Sequence, residues 1–449
     1  RVHAAAALFR YRAAGVGRSA TAVQRQGSDA EVFQRNEDDD MERKLNRGVY
    51  AAVGVVVLLF AGLVYAWSVL AVPIAEEFTQ ASQGSLSLTF TMCMIFFCLG
   101  GFVGGLLNGK VNVKINVWVA AVLFAAGFFI ASRATSLTGL YLGYGVLAGF
   151  GSGLAYNAVM STMSSWFPDK QGTISGVLLM GFGLGSFIIG KVYQALTPAG
   201  IGGWRTSFLV MGAVLFAVLA VGGFFFVRPP KGYRPAGSVE PDADASKSRV
   251  PAAATVDLTP LEMVRKPSFW LFFAWAILLS AAGLAVIAQG TGVVGQVGAG
   301  AVDAGTTATI VGLISIFNGI GRVIFGGLFD RVGQRPTMLI VDGAFFVSVL
   351  IVIAAIVLSS LPVLVAGFIC CGLSYGGITP TNSAFANAFY GSAHYPVNYS
   401  IVNLNLIFAS FGGTLSGMLF DASGSYLSTF IALLVAIAIG TLCTVLIKK

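Results

Sequence analysis

Val311–Met338 reads VGLISIFNGIGRVIFGGLFDRVGQRPTM, an apolar, glycine-rich helix that runs into a short charged turn. Arg322 sits in its middle, and no other charge lies so deep in any apolar span of the chain. Even on the mildest insertion scale an arginine at the centre of a membrane helix costs about 2.5–3.5 kcal/mol. A chain keeps one there when the guanidinium has something to hold. Arg322 precedes Asp330, at the end of the helix, by eight residues. At a rise of 1.5 Å each that is about 12 Å, close to the middle of a hydrocarbon core about 30 Å thick. Ser315, Asn318 and Arg322 are spaced three and four apart and form one polar stripe. A guanidinium stays charged and can grip a carboxylate through two parallel hydrogen bonds. The competing reading is a structural arginine bonded to backbone carbonyls of neighbouring helices.

The rest of the chain has the composition that such a helix requires. Of 449 residues, 56% are hydrophobic and only 10% charged, and the mean hydropathy is +0.82. Soluble globular proteins carry about 25% charged residues. Fifty-seven glycines suit close helix packing in lipid. Counting runs of about 20 apolar residues predicts an all-α membrane protein of twelve spans. These are approximately 49–74, 85–108, 116–132, 139–165, 172–196, 206–227, 268–290, 304–328, 337–358, 362–387, 397–419 and 425–447. The polar stretch 228–267 divides them six and six, giving halves at 41–227 and 268–449 joined by a flexible linker.

Residues 1–40 stand apart and end in the acidic run Asn36–Asp40. They read as a disordered, upstream-encoded or non-native extension before a natural start at Met41, or as a targeting presequence rich in Arg and Ala. The formal charge of +8 does not point to nucleic acid. With Met41 inside, 17 Lys and Arg fall on the inner side and 3 on the outer, the positive-inside pattern. Both termini are then cytoplasmic, in a monomer of the plasma (inner) membrane. The five cysteines, Cys93, Cys98, Cys370, Cys371 and Cys443, lie in apolar spans and read as small buried hydrophobes rather than a disulfide framework or a zinc site. The two histidines, His3 and His394, lie in a tail and a loop. Neither a phosphate-binding loop nor a nucleophile–base cluster occurs, so the reading is not an enzyme, needs no cofactor, and does not use ATP.

The two halves echo one another. Gly104-Gly105-Leu106-Leu107-Asn108-Gly109 ends the second span, and Gly326-Gly327-Leu328-Phe329-Asp330-Arg331 ends the eighth. Such repeats place a substrate site between the halves near the midplane. Gly326–Arg335 resembles the signature loop of the major facilitator superfamily. Gly62–Ser68, Trp166–Lys170, Gly181–Gly185 and Asn318–Arg322 together resemble the oxalate/formate antiporter family. The resemblance implies a twelve-helix carrier of small carboxylates that works by alternating access. It also implies an arginine on span eight, a lysine on span eleven and an aromatic cage around the substrate. Arg322 stands where the arginine is expected. The lysine is missing: no Lys or Arg lies between Arg335 and Lys448, and span eleven offers Asn403 and Asn405. A substrate with one carboxylate is therefore favoured over the oxalate dianion.

Candidate substrate-binding residues are thus Arg322, Asn318, Tyr65, Trp67, Tyr156, Tyr375, Asn403 and Asn405. Tyr65 and Trp67 read either as aromatic walls or as ordinary packing, and Trp67 also as an interfacial anchor. The polar positions of spans four, ten and eleven either line a cavity or join helices. Asp330, Arg331 and Arg335 read as a gate at the inner end of span eight, or as a solvated topogenic loop. No carboxylate presents itself as a mid-membrane proton carrier, since Asp342 lies near the inner end of span nine. Exchange of small organic anions such as formate, oxalate or lactate, or flux down a gradient, is the expected activity. A larger amphipathic carboxylate, such as a conjugated bile salt, and a non-transporting sensor are the alternatives.

Overall fold

The computed structural model describes residues 47–81, 83–198, 200, 202–230, 233 and 257–448. The extension 1–40 and most of the linker lie outside them. The described residues from Ala51 onward form one compact unit, and residues 47–50 begin the first helix. Every regular element among the described residues is helical.

Eleven helices are long and apolar enough to cross a membrane, and the one that falls short is the fourth span. It is present as a helical run from Leu137 to Trp166, but Tyr141–Ala148 winds as a π-helix and Gly149–Trp166 is rich in Ser, Gly and Asn. Nearly all of Gly149–Trp166 is buried against other helices, so lipid does not demand an apolar surface from it. Counting this span gives the expected twelve. The first span is also irregular: a 3₁₀ turn, Gly62–Ala66, joins Arg47–Ala61 to Trp67–Glu77. Span eleven is broken more heavily, into Tyr395–Asn403, Asn405–Ala409 and Gly412–Ser423.

Two polar knots, one buried and one half-buried, tie helices together within each half. In the second half the fully buried Asp342 of span nine accepts hydrogen bonds from Trp275 Nε1 (2.7 Å) on span seven and Thr444 Oγ1 (2.9 Å) on span twelve. At the opposite end of the first half, Glu77 accepts from Trp204 Nε1 at 2.9 Å and pairs with Arg205. Arg205 also donates to the Ala134 carbonyl at 2.8 Å. The end of the linker is ordered. Thr259 and Glu262 form a capping box that starts the short helix Pro260–Arg265. Just before it, the Leu258 amide donates to Tyr390 O at 2.9 Å and Asp257 accepts from the Ala393 amide at 3.0 Å.

Candidate substrate site and gate

The eighth span is the helix Ala304–Val332, started by Asp303, whose side chain accepts from the Thr306 amide. Small residues let it lie directly on its neighbours. A Cβ at Gly326 would stand 2.2 Å from Gly172 O, and one at Gly172 would stand 2.1 Å from Gly326 O. A Cβ at Gly176 would meet Arg322 O at 2.2 Å, and one at Gly321 would meet Leu373 O of span ten at 2.1 Å. Backbone therefore touches backbone between spans five and eight at the Asp330 end. Two turns along the same face of span eight, at Gly319, the nearest atom of span five is a side-chain carbon 3.4 Å away. Two turns further, at Gly312, nothing lies within 4 Å. The two helices diverge away from Asp330.

Arg322 lies where they begin to part, and it is half-buried. Its Nε donates to Asn318 Oδ1 at 3.0 Å, one turn back on its own helix, and its Nη1 donates to the Leu179 carbonyl of span five. A guanidinium carries five N–H donors, so three remain without a partner among the described residues. No carboxylate pairs with it among those residues. Gly183 makes room for the group, because a Cβ there would sit 2.8 Å from Nη1.

Aromatic rings from four spans gather beside it. Phe97 of span two, Tyr156 of span four and Phe182 of span five have ring centroids 5.1–5.7 Å apart. Tyr399 of span eleven stacks on Tyr156 at 6.1 Å, and the two hydroxyls bond at 2.6 Å. Arg322 is close enough to Tyr399 and Tyr375 for its charge to act on both. Tyr375 itself is pressed against Gly283, where a Cβ would fall 2.0 Å from its ring. The Asn403 side chain reaches Tyr399.

The other expected binding residues lie elsewhere. Trp67 is buried in the first half, its Nε1 donating to Leu86 O at 3.0 Å and its ring 4.8 Å from Tyr144. Asn405 is fully buried at the break in span eleven, where its amide donates to Val402 O at 2.6 Å. The Tyr65 side chain lies outside the described residues. Conversely Phe97, Phe182 and Tyr399 were not among the sequence-derived candidates. Tyr399 shares a helical face with Asn403, which is a usable signal. The two phenylalanines are indistinguishable in sequence from 33 others.

At the candidate gate, Asp330 does more than its neighbours. Its Oδ1 accepts from the Gly172 amide (2.7 Å), and its Oδ2 from the Thr173 amide (2.7 Å) and hydroxyl (2.6 Å). Span five begins at Gln171 with no side-chain cap of its own, so a carboxylate from the second half caps a helix of the first. Charge and helix dipole agree there, negative against the N-terminus. Arg331 is exposed, and Arg335 reaches only Val445 O, at 3.3 Å. Neutral groups close the same end further in. Ser175 and Ser383 hydroxyls bond at 2.6 Å, Ser383 and Tyr395 at 2.7 Å, and Asn157 donates to Pro396 O at 2.9 Å. The first and the last of these bonds join one half to the other, and the Ser383–Tyr395 bond extends the first within the second half.

The sequence profile of the Major Facilitator Superfamily matches residues 52–406 and 301–449. The chain belongs to that superfamily. It is therefore a multi-span integral membrane protein and a transporter of a small molecule rather than an enzyme. An oxalate:formate antiporter of Oxalobacter formigenes is 25% identical over 402 residues, covering 88% of this chain and 91% of the relative. Monocarboxylate transporter 13 of Rattus norvegicus is 24% identical over 311 residues, covering 69% of this chain and 67% of the relative. Among solved structures, the superfamily transporter FucP in its outward conformation superimposes with a TM-score of 0.62 at 13% identity, over 89% of this chain and 98% of that one. That likeness concerns the fold.

Proposed function

We propose that this transporter carries small organic anions bearing one carboxylate, held by Arg322 beside the ring cluster of Phe97, Tyr156, Phe182 and Tyr399. The observation that carries the reading is the guanidinium itself: in mid-span, with three N–H donors that have no partner and no counter-carboxylate among the described residues. An unpaired charge at that depth is expensive, and a bidentate carboxylate would neutralise it. Span eleven carries no Lys or Arg and brings the neutral Tyr399 and Asn403 to this side of the site, which favours a monoanion. The names of the oxalate:formate and monocarboxylate relatives support the same substrate class.

In this reading both termini face the cytoplasm of the cell whose plasma membrane holds the monomer. The Asp330 end is then the inner gate, shut here, and spans five and eight part toward the outer side. Opening inward requires Asp330 to leave the N-terminus of span five and the Ser175–Ser383 and Asn157–Pro396 bonds to break. Substrate exchange follows if the loaded carrier crosses between these states faster than the empty one, whose unpaired Arg322 penalises occlusion. The test is uptake of labelled formate, lactate and oxalate into proteoliposomes, with and without internal anion. Arg322→Gln is expected to abolish uptake while inserting and eluting like the parent. Undiminished carboxylate uptake by that variant overturns the proposal.

A further inference from the structure

A second cation without a partner among the described residues lies at the closed end, far along the chain from Arg322. Arg228 follows the sixth span, the helix Gly203–Phe225, and borders a cavity of about 170 Å³. The walls come from both halves: Asn108 after span two, Ser164 in the last turns of span four, and Ser392, Tyr395 and Pro396 leading into span eleven. Arg228 is the one charged residue lining it. Its position is fixed by its neighbours rather than by its own side chain. Trp166 Nε1 donates to Val227 O at 2.8 Å, and Tyr233 packs edge-on against Trp166 at 4.8 Å. The opposite wall is anchored through Asn157, which holds Pro396 O.

Arg228 is exposed at the mouth of the cavity and has no hydrogen bond or ion pair among the described residues. A guanidinium beside neutral hydrogen-bond donors, with no carboxylate in the cavity lining, is an arrangement that a small oxyanion fits. The serine hydroxyls of the cavity cannot all help. Ser161, Ser164 and Ser165 donate to Ala158 O, Gln171 Oε1 and Ser161 O. The side chains of Asn108 and Ser392 have no partner among the described residues and remain able to donate. We propose that this cavity binds a small oxyanion, a phosphate or carboxylate group, on Arg228, Asn108 and Ser392. Asn108 belongs to the first half, Arg228 follows its last span directly, and Ser392 belongs to the second half, so a bound oxyanion bridges the halves and favours the state closed at this end. The site does not depend on Arg322 or on what the central cavity carries.

Thermal unfolding of the purified protein in neutral detergent, titrated with inorganic phosphate and with acetate at constant ionic strength, tests it. The parent and Arg322→Gln are expected to show a saturable rise in Tm with phosphate. Arg228→Gln is expected to lose it, and Arg228→Lys to keep part of it. Because Arg322→Gln removes the central charge, a surviving acetate response in that variant reports the Arg228 cavity alone. Nanodiscs separate the sources of the anion. If the phosphate response seen in phosphatidylcholine disappears in phosphatidylglycerol, a lipid headgroup occupies the site; if it persists, the site takes the free ion. Either result supports the cavity as an oxyanion site. A flat phosphate response in the parent, or an Arg228→Gln response equal to the parent's, overturns it.

Discussion

Asp330 offers the sharpest handle on the proposed gate. Asp330→Ala removes two amide hydrogen bonds at 2.7 Å and a hydroxyl bond at 2.6 Å. It leaves the first turn of span five uncapped. Loss of an N-cap costs about 0.5–2 kcal/mol, and the charge–dipole contribution about 0.3–1 kcal/mol at exposed sites. Asp330 is exposed, so the sum belongs at roughly 1–2 kcal/mol. The bonds cross from one half to the other, so the loss falls on the closed state alone. At 1.4 kcal/mol per factor of ten, the closed-to-open ratio falls roughly 5- to 30-fold. Spin labels at Lys170→Cys and Arg331→Cys, both exposed positions on opposite sides of the contact, report this as a distance distribution. The native cysteines are buried or half-buried and compete little for label. The parent is expected to show mostly the short distance, and Asp330→Ala a substantial long-distance population. Asp330→Asn should fall between them, because its one carbonyl can still accept. An unchanged distribution in Asp330→Ala would refute the assignment of this carboxylate as a gate.

Other perturbations separate binding from folding. Gly183→Ala places a methyl 2.8 Å from Arg322 Nη1, so the guanidinium must move from its bond to Leu179; substrate KM should rise roughly tenfold, the cost of about one charge-assisted hydrogen bond, with little change in Tm. Asp342→Ala strands the Trp275 and Thr444 donors in a fully buried site, lowering stability by about 2–4 kcal/mol in detergent melts without altering substrate affinity. Glu77 is held below the usual carboxylate range by its hydrogen bond to Arg205, assisted by Trp204 and opposed by burial. A carboxyl with a lowered folded pKa stabilises the protein above its unfolded value of about 4.3 and loses that contribution as pH falls through the folded value. Glu77→Gln should therefore melt earlier than the parent at neutral pH by roughly 1 kcal/mol, with the difference closing below about pH 4.

The twelve spans and the cost of Arg322 were legible because length, hydropathy and depth are local properties. Even so, the fourth span met the criterion only loosely, because protein rather than lipid covers Gly149–Trp166 and its polar residues are tolerated. The helix at Pro260–Arg265 carried its own signal in Thr259 and Glu262, three residues apart, inside a stretch read as linker. The breaks in span eleven around Leu404 and Ser410 had no such mark. Within the ring cluster Tyr156 was legible and Phe97 and Phe182 were not, for a different reason. The rings converge from four spans, and nothing local distinguishes a phenylalanine that joins them from one that faces lipid. Asp330 was legible as a charge at a helix end, but its partner, the bare N-terminus of span five, exists only once the halves meet.

The central claim is that Arg322 holds the substrate's carboxylate, and direct binding tests it without relying on transport. Calorimetric titration of the purified carrier with lactate and formate should give a measurable Kd for the parent. Truncating one partner of a buried charge pair costs about 2–5 kcal/mol, so Arg322→Gln should weaken binding by at least roughly 30-fold, with an unchanged melting profile in the absence of ligand. Equal carboxylate affinity in the parent and in a folded Arg322→Gln would contradict the account.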